Sequence, residues 1–133
     1  MTYSETKFRE YLKKQLDDPN IYIKKLPDKK QGNTSNIGMP DYLCITKKRT
    51  LWFEVKLSHT KSTFNLNEVS ESQYIEFDKM HNAGAKIFIA IYVEKELFIV
   101  PYVNVRFAKF STNDKSVNLQ TLNAWRVKDG FNN

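Results

Sequence analysis

Apolar residues recur along this chain at two different spacings. Phe8, Leu12 and Leu16 fall at i, i+4 and i+8, the spacing of one helix face. Ser4 offers an N-cap hydroxyl, and Asp17-Asp18-Pro19-Asn20 ends the run. Ile21 to Leu26 mixes β-branched and aromatic residues and reads as a strand. A polar stretch follows from Pro27 to Gly38, and unstructured loops of that length tend to carry function. Two strands are predicted next, Asp41 to Thr46 and Leu51 to Leu57, joined through Lys47-Lys48-Arg49. Ser58 to Val69 reads as a second polar loop. Ser70 opens a helix that ends near Ala83, with Gly84 at its C-terminus. Lys86 to Val93 is a strongly apolar strand, and Glu94-Lys95-Glu96 turns it into Leu97 to Val100. A short helix is predicted around Val103 to Phe110. A polar loop, Ser111 to Ser116, then leads to a last segment with Val117, Leu119, Leu122, Trp125 and Val127. The order α-β-β-β-α-β-β plus a tail predicts a mixed α/β or α+β sandwich. No repeat or linker interrupts it, so residues 1–133 are expected to form one domain.

Composition narrows the class. The 133 residues are 41% hydrophobic and 14% aromatic, enough for a real core. One cysteine excludes an intrachain disulfide framework and a Cys-based zinc cluster. No apolar run reaches the ~18–20 residues of a membrane span, and no signal peptide is visible, so a cytoplasmic location is expected. Small size and a Lys- and Asn-rich makeup suggest a phage or mobile-element source. The net charge is +6, and it is unevenly placed. Residues 1–61 hold 13 Lys/Arg against 7 Asp/Glu, whereas residues 62–133 hold 8 of each. A basic half favours a polyanion such as nucleic acid, although a merely solubilising surface looks the same.

The chemistry concentrates in Pro40-Asp41 and Glu54-Val55-Lys56. Side chains alternate along a strand, so Glu54 and Lys56 share a face. A hairpin with a tight turn at Lys47-Lys48 puts Leu43 opposite Trp52, Ile45 opposite Thr50, and Asp41 opposite Glu54. Opposed residues have Cβ atoms ~5 Å apart. Lys-Lys is poor chemistry for a two-residue turn, so the register is an expectation. Two carboxylates this close are costly without a cation, and Mg²⁺ suits them, with Mn²⁺ as a substitute. The Val55 carbonyl would add a ligand. Lys56 would orient water and offset negative charge at a phosphate. The bland alternative is surface carboxylates at strand ends. Glu-x-Lys alone says little, since Glu5-Thr6-Lys7 repeats it on a helix. The combination carries the information.

That combination resembles the PD-(D/E)XK nuclease superfamily. The resemblance spans about residues 4–101, with 102–133 as a C-terminal extension. It implies a restriction-endonuclease-like αβββαβ core, with a central mixed sheet flanked by helices. The chain is most similar to Holliday junction resolvases of the RecU and archaeal types. Shared features are the thirteen-residue step from Asp41 to Glu54, Ser62-Thr63-Phe64-Asn65-Leu66, Ser72-Gln73, and Phe98-Ile99-Val100-Pro101. VRR-type nucleases show a similar layout. The resemblance implies three further roles. Glu5, with Glu10 as competitor, would be an accessory acid at the metal. Gln73 would touch substrate or metal waters, although Ser70-Glu71-Ser72-Gln73 also fits a capping box. Ser58 would contact a phosphate.

The expected activity is metal-dependent hydrolysis of DNA phosphodiesters, on branched or junction DNA. Another nuclease of the same chemistry, acting on flap or linear DNA, and an inactive DNA-binding module of the same fold are the alternatives. Lys24, Lys25, Lys29, Lys30, Lys47, Lys48 and Arg49 are candidate DNA contacts. A junction resolvase makes two symmetric nicks, so a homodimer is implied. Cys44, Trp52 and Phe53 read as core. His59 and His81 lack a second ligand at metal spacing. Trp125 suits packing, a dimer contact or base stacking.

Overall fold

The computed structural model describes residues 5–27, 38–94 and 96–127. The elements are α1 (Glu5–Leu16), β1 (Tyr22–Lys25), β2 (Tyr42–Ile45), β3 (Thr50–Ser58), β4 (Thr63–Asn65), α2 (Glu71–Asn82), β5 (Lys86–Val93), β6 (Glu96–Pro101), α3 (Tyr102–Ser111), β7 (Ser116–Asn118) and β8 (Trp125–Arg126). A 3-10 turn, Leu66–Glu68, precedes α2. Ser4, Lys29 and Lys30 lie outside the described residues.

Six strands form one sheet in the order β1-β2-β3-β5-β6-β8. Only the β3–β5 pair is parallel; its neighbours run antiparallel, so the sheet is mixed. The predicted α+β class and flanking helices are therefore present. β5 sits in the middle and is apolar on both faces. Its Ile87, Ile89, Ile91 and Val93 join Phe77, Tyr102, Val105 and Leu122 in the core under α2 and α3. Its Ala90 and Tyr92 join Phe8, Leu12, Tyr42 and Phe53 in the core under α1. Each fully buried side chain of this kind contributes about 1.5–3 kcal/mol. Cys44 is packed in the second core, and burial pushes its thiol up to about 11.

Two sequence expectations need correction. The segment Ser58 to Val69 is not all loop: Thr63, Phe64 and Asn65 pair with Asn118, Val117 and Ser116. The C-terminal segment is more than an extension outside the core. β8 pairs with β6, and Leu119 and Leu122 are buried. Two- and three-residue strands carry no periodicity of their own; their existence depends on a distant partner. Among the described residues, no helix is long and apolar enough to cross a membrane.

The β2–β3 hairpin forms in the predicted register, with Leu43 opposite Trp52 and Ile45 opposite Thr50. Its turn works despite Lys47-Lys48. Neither lysine takes a left-handed φ, so the turn avoids the conformation that penalises them. Thr46 N–H donates to the Arg49 carbonyl at 2.9 Å. Thr46 Oγ1 accepts from the Lys48 and Arg49 amides, and Asp18 Oδ2 accepts from the Lys47 amide at 3.0 Å. Side chains thus satisfy the turn's remaining donors.

Candidate active site

Three elements converge at the far end of that hairpin. Asp41 sits at the entrance to β2, just past the last ladder pair. Its Oδ2 accepts the Val55 backbone N–H at 2.9 Å. That bond fixes the carboxylate beside β3 where the regular ladder has ended. Gly38 positions the approach. Its φ is +83°, and a Cβ there would lie 2.7 Å from the Ser72 carbonyl and 2.9 Å from Glu76 Cβ. Only glycine lets this segment press so closely on α2.

Glu54 is 3% exposed, the one charged residue among the fully buried ones described. Its Oε2 takes a hydrogen bond from Gln73 Nε2 at 2.8 Å and an ion pair with Lys56 Nζ at 3.1 Å. Lys56 Nζ also donates to Gln73 Oε1 at 3.0 Å. Glu54 Oε1 is buried and has no hydrogen-bond partner among the described residues. Burial, then the Asp41 carboxylate, pushes the Glu54 carboxyl up to about 7; Lys56 and Gln73 pull the other way.

Gln73 forms the capping box and, with the same side chain, reaches the acid and the lysine. Its Oε1 accepts from the Ser70 amide at 3.0 Å while Ser70 Oγ accepts from the Gln73 amide, completing a capping box. The same amide group holds Glu54 and Lys56. The cap is what brings the first turn of α2 onto the acid.

A family model for Recombination protein U matches residues 3–129. The chain belongs to the RecU family. The match continues well past Pro101, so the family's pattern includes the C-terminal strands. No curated protein matches the chain. Among solved structures, the RecU-family chain is similar to Hjc, a Holliday junction resolvase from the archaeal hyperthermophile Archaeoglobus fulgidus. The TM-score is 0.55 at 15% identity, over 89% of this chain and 91% of that one. The likeness is one of fold.

The remaining candidates fall in different places. Glu5 does not join the acidic pair. Tyr42 points to the α1 face, and its hydroxyl donates to Glu5 Oε1 at 3.3 Å; Arg9 lies 3.6 Å from the same oxygen. Among the described residues no three His, Cys, Asp or Glu side chains gather as a metal site. Alternation along β2 is the reason: Asp41 and Tyr42 are consecutive and face opposite ways. Glu10 is exposed on α1. Ser58 is turned inward, donating to the Thr63 carbonyl at 2.8 Å to shape the 58–63 turn. Lys24 and Lys25 are exposed on the edge strand β1, and Lys47, Lys48 and Arg49 are exposed at the hairpin turn. His59 and His81 are exposed, away from any such cluster. The sequence reading missed the part of Gly38. Its signal was there, in a glycine two residues before Pro40-Asp41.

Proposed function

We propose that this RecU-family chain is a divalent-metal-dependent DNA endonuclease that resolves Holliday junctions or similar branched DNA. The observation that carries the chemistry is the state of Glu54. It is a buried carboxylate beside a second carboxylate, with one oxygen held and the other without a partner among the described residues. Such an atom costs free energy unless something positive takes it up. Hard cations with oxygen ligands fit that donor set.

Asp41, Glu54 and the Val55 carbonyl would hold Mg²⁺, or Mn²⁺ in its place. Val55 directs its N–H to Asp41. A residue's N–H and C=O share one strand edge, so its carbonyl faces the same side, beyond the last β2 pair. When bound, the cation lowers the pKa of water and screens charge on the phosphate. Lys56 keeps its ammonium beside Glu54, where it orients water and offsets developing negative charge. Gln73 fixes both side chains. Lys24 pairs with Leu43 and so shares the face of Asp41 and Glu54, where its charge would meet a phosphate next to the cut. Lys25 pairs with Tyr42 and lines a cavity of about 230 Å³ with Tyr42, Val55 and Leu57 on the α1 side of the sheet. Glu5 would act at most through Tyr42, not as a ligand.

The substrate follows from kinship rather than geometry. The family is one of recombination proteins, and the similar archaeal structure is a junction resolvase. Two symmetric nicks require two sites, so the chain would act as a two-fold dimer. Residues 1–133 would serve as one nuclease domain, since strands from both ends pair in the same sheet.

A nicking assay tests this on a four-way junction, a flap, linear duplex and single strand, with and without Mg²⁺. Junction nicking that requires the metal and is lost in Asp41→Ala is expected. Preference for flaps would remove the junction reading. Equal cutting in a chelator would remove the metal.

A further inference from the structure

We infer that the substrate duplex lies across the half of the sheet that the described helices leave bare, from Asp41 along β1 and β2 to the basic turn at Lys47–Arg49. This rests on the nuclease reading above and adds the path of the DNA.

Strand parity assigns the face. Asp41, Leu43 and Ile45 alternate onto the side that carries Trp52 and Glu54. The β1 partners of Leu43 and Ile45 are Lys24 and Tyr22, which therefore share that side. On the β5 half of this face, α2 and α3 cover the apolar residues. On the β1–β2 half, among the described residues, no helix does. Tyr22 is 51% exposed and its partner Ile45 39%, and Lys24, two residues along β1, is exposed too. The bare strip begins at the carboxylates and ends at three consecutive exposed cations.

The dimensions suit a duplex. Five strand residues separate Glu54 from Arg49, a distance of ~17 Å. Duplex DNA rises about 3.4 Å per base pair, so the strip spans about five pairs on one side of the cut. A row of cations with one aromatic and few acids matches a phosphate backbone. Lysines on an edge strand also guard against edge-to-edge pairing, and that role alone would need no relation to the length of a DNA arm. The turn is held through its backbone amides, so removing its side chains leaves its shape in place.

The test uses the full chain with Mg²⁺ and junctions whose arm is shortened on one side of the cut or the other. For the parent, cutting one particular arm below about five pairs lowers kcat/KM tenfold or more. In the triple variant Lys47→Ala, Lys48→Ala, Arg49→Ala, the long arm already gives the low value, and shortening it costs less than twofold further. The salt dependence of binding flattens by about 2–3 in log–log slope on the long arm only. If the variant still loses tenfold on shortening, or loses nothing on the long arm, the path is wrong. The same comparison by fluorescence anisotropy of Glu54→Gln reports binding alone. A protein that binds with this arm dependence and never nicks sinks the nuclease reading and keeps the path. One that nicks without it does the reverse, and one that binds no DNA overturns both.

Discussion

Glu54 and Asp18 serve opposite ends of the β2–β3 hairpin, and their surroundings move their acidities in opposite directions. Asp18 reaches the turn from outside. The Lys47 and Asn20 amides donate to it and hold its carboxyl below the ordinary carboxylate value. Glu54 is buried next to Asp41, and its carboxyl is pushed up to about 7. The first arrangement favours the charge and steadies a turn. The second penalises the charge and, among the described residues, leaves one oxygen without a donor. Perturbed carboxylates of this kind cluster at functional sites.

The largest expected effect comes from emptying the acidic end. Asp41→Ala, Glu54→Ala or Lys56→Ala should each lower the nicking rate by about 10³-fold or more, the scale of losing a group that acts on the transition state. Thermal melts would show whether each variant still folds. A variant that cuts within tenfold of the parent would mean that the wrong end had been chosen.

The next effect is on stability. The Glu54 pKa is higher folded than unfolded, so the folded state binds the proton more tightly. Its contribution is complete below about 4.5 and is lost as pH rises through about 7. Without divalent metal, stability should fall across that window by on the order of 3 kcal/mol. Mg²⁺ should restore it at pH 8, and Glu54→Gln should flatten the decline. Denaturant titrations in chelator at several pH values measure this. Asp18 has the opposite sign: its contribution is present above the ordinary value of 3.8 and fades as pH falls through its depressed pKa.

Gly38→Ala should come next, at about 2–3 kcal/mol, because a Cβ meets the Ser72 carbonyl in a backbone that L-residues resist. Activity should drop with it, since Asp41 lies three residues on. Thr46→Val is the mildest. It removes the acceptor for two turn amides and should cost about 1 kcal/mol while leaving nicking within twofold. A loss of activity as large as that of Asp41→Ala would show that the two ends are not separable.

Much of this contrast was legible from residue order. The turn at Lys47-Lys48 set the hairpin's register, and alternation put Asp41 on the side of Glu54, whose acidity it shifts. Ser70 and Gln73 announced their cap three residues apart. What was hidden depends on chain reversal. Asp18 and Lys47 are 29 positions apart, and nothing local in either says that they meet. β4 and β7 are three residues each and exist only as a pair. Glu5 was misplaced for a related reason: its position on α1 is plain, but the face of the sheet that α1 covers is decided by the packing of Phe8 and Leu12.

Gln73 ties the start of α2 to the acid through a single amide group. Whatever tugs on Glu54 is therefore felt by a backbone proton, the one on Ser70. Its exchange rate and chemical shift should gauge the site, readable by NMR of the isotope-labelled protein without a substrate or a turnover.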